Sequence, residues 1–299
     1  MNKNIKAIIT ISVVLFTGLM FTSCAKKGPC LECAANQTGN KAEVSPEKEK
    51  KWQELNSKVV ELYNQGKLKE ATVEANKTLK YAEKEFGNFS ANVATSLNNL
   101  GELYRLQKKL PEAELNYKKS LDIREKTLGK EHLDVSLSLN NIATLYLFQG
   151  NYERAEPLYK RAVNIMGKNL GKDHISLQTP LTNLAELYKT QKKYKEAENV
   201  LQKLVTISEK AKGKEDPLYA KAQNDLAAVY YLEGKYKEAV PLFNSTLSIL
   251  EKSLGKNHPE LAIVLENISE VYKKIGQNDK AKEFAERAEG IKFKNQTKS

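Results

Sequence analysis

One short phrase returns six times along the chain, and the distance between its copies leaves little choice of fold. The copies read ELYNQGKLKEA, ELYRLQKKLPEA, TLYLFQGNYERA, ELYKTQKKYKEA, AVYYLEGKYKEA and EVYKKIGQNDKA, with tyrosines at Tyr63, Tyr104, Tyr146, Tyr188, Tyr230 and Tyr272. After a first step of 41 every step is 42, so the first copy reads as one residue short in its turn. A second marker, Gly87, Gly129, Gly171, Gly213 and Gly255, keeps a step of 42 throughout. Self-similarity at such a period marks an array of supersecondary units, each burying its apolar face only against its neighbours. The array covers residues 47–299, with units near 47–88, 89–130, 131–172, 173–214, 215–256 and 257–299.

Inside a unit the apolar spacing is helical. Leu139, Ile142, Ala143 and Tyr146 fall at i, i+3, i+4 and i+7. After Gln149-Gly150-Asn151 a second set runs through Ala155, Leu158, Tyr159, Ala162 and Val163. Glycine ends each helix because it accepts a left-handed backbone. Small residues stand where two helices must cross closely: Gly101, Ala143, Ala185, Ala227 and Ser269 in the first helix, and Ala113, Ala155, Ala197, Ala239 and Ala281 in the second. With 15 Gly and 8 Pro in 299 residues, loop-rich β architecture is excluded and the fold class is all-α.

These units resemble tetratricopeptide repeats. The family pattern L-G-x₂-Y…A-x₃-F stands here as Leu100-Gly101, Tyr104, Ala113 and Tyr117, and again as Leu226-Ala227, Tyr230, Ala239 and Phe243. Leu97, Leu139, Leu181, Gln223 and Leu265 replace the usual Trp, and the terminal Pro is missing. The 42-residue unit is similar to the long-repeat variety of kinesin light chains. The resemblance implies a right-handed α-solenoid of about six helix-turn-helix repeats, with first helices lining a concave groove. It does not name a partner, since one fold hosts many functions. The end units depart from the pattern, with Val60 and Ala75 in the small and aromatic columns of the first and Ala285 in the last. Ile291 and Phe293 are expected to cover the last interface.

The first 46 residues are of another kind. Lys3 and Lys6 precede an uncharged run, AIITISVVLFTGLMFT, that is 16 residues long, short for a membrane span of about 20. Residues 1–23 therefore read as an export signal. They end in Phe21-Thr22-Ser23-Cys24, which resembles the lipobox of bacterial lipoproteins, with Phe21 where such boxes usually carry Leu. The resemblance implies that Cys24 is lipidated and that the protein is anchored to a membrane of the bacterial cell envelope. Residues 24–46 are small and polar without periodicity and read as a flexible tether. Within it Cys30 and Cys33 form a CxxC, open to reading as a redox pair, half a zinc site, or a local disulfide of an oxidising compartment. Neither a second CxxC nor a βαβ context supports the first two.

Little in the array suits catalysis. His132, His174 and His258 lie at separations of 42 and 84, so they share one column in different units and are expected to cap or pack helices. No GxSxG, HExxH, P-loop or GxGxxG is present, and neither a metal nor another cofactor is expected. The formal charge is +11, yet 5 of the 48 basic residues are Arg, which is preferred for bidentate phosphate contact; nucleic acid is not an expected partner. The pairs Lys108-Lys109, Lys192-Lys193 and Lys273-Lys274 read as solvated turns, with weak attraction to anionic membrane.

Two columns point to binding. Asn99, Asn141, Asn183 and Asn267, with Asp225 among them and Lys58 as the first-unit counterpart, stand five residues before each tyrosine. Such an amide can bond the main chain of an extended peptide or bridge neighbouring helices. The position after each tyrosine reads Asn64, Arg105, Leu147, Lys189, Tyr231 and Lys273, so cations alternate with apolar groups from the second unit on, with Phe148 beside Leu147. A ligand with acidic and bulky apolar residues about three apart would match this order, at about 3.3 Å per extended residue. The expectation is a non-enzymatic scaffold, tethered by lipid in the envelope, that binds a peptide or protein segment in its groove. A basic adaptor for anionic lipid or cell-wall polymer, and a redox protein using Cys30 and Cys33, are the alternatives.

Overall fold

The protein is described from a computed structural model covering residues 45–296. Cys24, Cys30, Cys33, the expected export signal and most of the expected tether lie outside the described residues. The described chain is all-helical and divides between Asn169 and Leu170 into two compact units.

The first unit holds α1 (Pro46–Asn64), α2 (Leu68–Phe86), α3 (Ala91–Leu106), α4 (Leu110–Leu128), α5 (Leu133–Phe148) and α6 (Tyr152–Leu170, whose last residue falls past the division). The second begins with a 3₁₀ turn, Ile175–Leu177, and continues with α7 (Gln178–Thr190), α8 (Tyr194–Lys212), α9 (Pro217–Glu233), α10 (Tyr236–Leu254), α11 (Leu261–Lys274) and α12 (Asn278–Gln296). Odd-numbered helices are the first of each repeat and even-numbered helices the second.

Each first helix ends in the same backbone device. In the third repeat Asn151 N–H donates to Tyr146 O at 2.8 Å and Gly150 N–H to Leu147 O at 3.0 Å, with Gly150 at φ +73°, a Schellman turn. This device corrects the reading of the first repeat. Lys67 N–H donates to Leu62 O, as Lys109 N–H does to Tyr104 O, so Leu62 and not Tyr63 occupies the tyrosine column. The turn is complete, the step is 42 everywhere, and Val59, which is buried, replaces Val60 in the small column. Tyr63, not Asn64, then takes the position after the tyrosine, and Ser57, not Lys58, that of Asn99.

Each second helix in the first five repeats ends at the glycine column, where Gly87, Gly129, Gly213 and Gly255 have φ of 78–87° with ψ of 151–168°, a region essentially closed to other residues. The next first helix is then capped by a side chain at one recurring position. Ser90, His132, His174, Asp216 and His258 each accept from a backbone N–H two or three residues on. His132 therefore caps α5, His174 the 3₁₀ turn before α7 and His258 the turn that leads into α11, in three separate repeats.

The core is the contact between first and second helices. Ala113, Ala143, Ala155, Ala197, Ala227 and Ala239 are wholly buried, as close crossing requires. At Gly101 a Cβ would stand 2.6 Å from the Tyr117 ring, and in the last repeat Ser269 Oγ donates directly to Ala281 O on the facing helix at 2.7 Å. The end of the array is closed by Phe284, Ala288 and Ile291, spaced i, i+4 and i+7. Phe293 is 70% exposed, against expectation, because two residues beyond Ile291 is the opposite side of a helix.

Candidate functional site

With the register corrected, the position after the tyrosine column reads Tyr63, Arg105 and Leu147 in the first unit and Lys189, Tyr231 and Lys273 in the second. Three residues earlier, on the same side of each helix, stand Val60, Glu102 and Thr144, then Glu186, Ala228 and Glu270. Every cation of the column has a carboxylate at i−3, and every apolar member has none.

In the first unit the pair is part of a half-buried chain. Arg105 Nε and Nη2 donate to the two oxygens of Glu102 at 2.9 and 2.6 Å, and Tyr117 Oη on α4 donates to Glu102 Oε2 at 2.6 Å. Burial pushes the Glu102 carboxyl up, but the hydrogen bonds and charge of Arg105 outweigh it, with help from the Tyr117 hydroxyl, and the group sits below the usual carboxylate value. The guanidinium lies 5.8 Å from the centre of the Phe148 ring, which is 56% exposed at the end of α5. Leu147 beside it is half-buried.

In the second unit Lys189 Nζ donates to Glu186 at 2.6 Å and Lys273 Nζ to Glu270 at 2.8 Å. The Lys189 side chain is buried and that of Lys273 half exposed. Between them Tyr231 packs its edge on Tyr236, ring centres 5.4 Å apart, and is half-buried. Burial raises its hydroxyl pKa, and the nearby charge of Glu270 raises it further. The alternation expected of this column is present, but the positive charge assigned to an acidic ligand is already matched within each helix.

The asparagine column is used differently from a peptide ladder in the first unit. Asn99 Nδ2 donates to Asn56 Oδ1 at 2.7 Å and Asn141 Nδ2 to Asn98 Oδ1 at 2.8 Å, each tying one first helix to the one before. One of the two amide hydrogens is thereby used between helices. In the second unit Asn183 is half-buried, whereas Asp225 and Asn267 are buried, with Asp225 Oδ2 and Asn267 Nδ2 lacking a hydrogen-bond partner. Burial pushes the Asp225 carboxyl up, opposed by the charges of Lys189 and Lys221.

The turn lysines are engaged as well. Lys109 lies over the Tyr104 ring and Lys193 over Tyr188, both at 5.9 Å, and Lys235 over Tyr230 at 5.4 Å. Lys108 and Lys192 hold the left-handed turn position that is glycine in the other repeats, at φ of 60° and 59°. Among the described residues no group of three His, Cys, Asp or Glu could hold a metal ion, and no helix is long and apolar enough to cross a membrane.

The tetratricopeptide repeat family model matches residues 116–168, 134–210, 175–252 and 218–292, and a second model of the same repeat matches 93–134. No curated protein sequence matches significantly. Among solved structures, the nearly identical TPR-like repeats of a chain from Podosopora anserina assigned as a kinesin light chain share 28% identity, covering 68% of this chain and 96% of that one, with a TM-score of 0.62. BtubC (BKLC) from P. vanneervenii shares 22% identity over 77% of this chain and 92% of its own, with a TM-score of 0.68. PilF from Pseudomonas aeruginosa shares 16% identity over 80% and 90%, with a TM-score of 0.57. The chain belongs to the tetratricopeptide repeat family, and its fold is similar to that of kinesin-light-chain-like members.

Proposed function

We propose that this protein is a non-enzymatic interaction scaffold, held in a bacterial cell envelope by lipid on Cys24, and that the first-helix face takes a segment of a partner protein. The fold is one typical of protein–protein interaction scaffolds. The observation that carries the reading is the exposed Phe148, with half-buried Leu147 beside it and half-buried Tyr231 in the equivalent column of the second unit. Apolar anchors of this kind supply most of the energy of protein recognition. The basic-adaptor reading is less favoured, because Lys109, Lys193 and Lys235 are held over tyrosine rings and not presented together as a free track.

Two measurements test the proposal. A photo-crosslinking residue at Phe148 or Tyr231, in membranes from the native organism, should capture a discrete protein, whereas the same residue at exposed Leu115 on α4 should not. Equal capture from all three positions removes the first-helix face as the site. Cys24→Ala should abolish lipid modification by mass spectrometry and release the protein from membranes; an unchanged mass and fractionation remove the anchor.

A further inference from the structure

The column after the tyrosines carries three cations, yet in the structure none of them stands alone. Arg105, Lys189 and Lys273 are each bonded to a carboxylate one helical turn earlier, at 2.6–2.9 Å. The alternate repeats carry no charge at either place: Val60 is followed by Tyr63, Thr144 by Leu147 and Phe148, and Ala228 by Tyr231. In each unit the face therefore offers two kinds of contact, neutralised ion pairs and apolar side chains, and no net charge from either. A ligand carboxylate approaching Arg105 or Lys189 meets a cation already paired and largely buried, along with the carboxylate that pairs it. It would lose hydration without gaining an unneutralised cation, a desolvation loss that the interior attraction rarely repays.

We infer that Glu102, Glu186 and Glu270 determine specificity: by neutralising Arg105, Lys189 and Lys273 within their own helices, they make the face select an uncharged protein segment bearing bulky apolar side chains and reject an acidic one. The inference rests on the proposal that the first-helix face is the binding site. It assigns the glutamates a role beyond helix stability, and it fixes the chemistry of the occupant. Within each unit taken by itself, apolar side chains of a partner segment meet the apolar members, Phe148 and Leu147 in the first and Tyr231 in the second, while polar uncharged groups pass the ion pairs of that unit. Specificity of this kind comes as much from excluding the wrong ligand as from holding the right one.

The test uses short N-acetylated, C-amidated peptides that carry Leu, Phe or Trp in a Ser, Asn and Gln background, with matched sets in which background positions are Glu or Lys. The full chain is titrated with each set at low and high salt. The wild type should bind uncharged members best, with affinity little changed by salt. Glu270→Gln is the main variant, because its pair is the most exposed of the three and the change leaves the helix packing intact. It should gain about tenfold or more for the Glu set, a shift of about 1.4 kcal/mol that fades in high salt, and nothing for the Lys set. Glu186→Gln and Glu102→Gln, checked for folding by circular dichroism, should move in the same direction. A wild type that already prefers the Glu set tenfold, or folded glutamine variants that gain nothing, overturns the inference; if Tyr231→Ala and Phe148→Ala still weaken binding in that case, the binding face itself stands. Loss of all peptide binding, insensitive to both truncations, overturns the face and the inference together.

Discussion

Two carboxylates, half-buried Glu102 and buried Asp225, respond to their surroundings in opposite directions, and their pH behaviour separates them. Glu102 is held below its usual value by Arg105, so its contribution to stability is complete above its unfolded value of about 4.3 and is lost as pH falls through the lower folded value. Glu102→Gln should therefore destabilise the protein at pH 7 by about 1–3 kcal/mol, a difference that shrinks in acid melts. Asp225 is pushed up by burial, so its contribution is favourable below about 3.9 and is lost as pH rises through the higher folded value. Asp225→Asn should raise the melting temperature at pH 7 and converge with the wild type in acid. Opposite slopes in the two variants' pH–stability curves check both; a parallel pair contradicts the assignment. The spacing of Glu102 and Arg105 was legible in the sequence, because i and i+3 share a helix face. The Tyr117 bond and the burial of Asp225 were not, since both depend on which turn of a neighbouring helix lies opposite.

At the scale of the element, the apolar pattern and the glycine column were enough to place every hairpin. They misplaced one register. Leu62 and Tyr63 are adjacent, and a tyrosine motif selects the second, whereas the chain bonds of the turn select the first. Phe293 was misplaced because apolar character alone does not give its angle around α12. Two substitutions test the element-level account. Gly101→Ala improves intrinsic helix propensity by about 1 kcal/mol but drives a methyl into the Tyr117 ring, so the net effect should be destabilising by about 1–3 kcal/mol. Lys108→Gly relieves a left-handed conformation on a non-glycine residue and, because Lys108 is exposed, should stabilise by about 0.5–1 kcal/mol. Denaturant melts read both, and a stabilised Gly101→Ala variant would show that the helix crossing is looser than described.

The whole molecule is a repeat array, and its stability should be approximately a sum over repeats and their interfaces. Removing residues 89–130, one complete repeat, should leave a folded, shorter chain with a cooperative melt. Removing residues 110–130, which deletes α4 alone, should leave α3 without its partner and broaden the transition or abolish it. All-helical architecture and repeat number were legible at this scale because each repeat restates the same local physics. The proposed binding face is legible only in part: its apolar members stand out by spacing, while the neutrality of its cations depends on side-chain pairing. The central claim, that the apolar members of the first-helix face hold the partner, is tested most directly by the affinity of the cross-linked partner for the full chain, measured for wild type, Phe148→Ala with Tyr231→Ala, and Leu115→Ala. The account predicts a loss of more than tenfold in the first-helix double variant, at unchanged helix content, with Leu115→Ala close to wild type; equal affinity for all three proteins would contradict it.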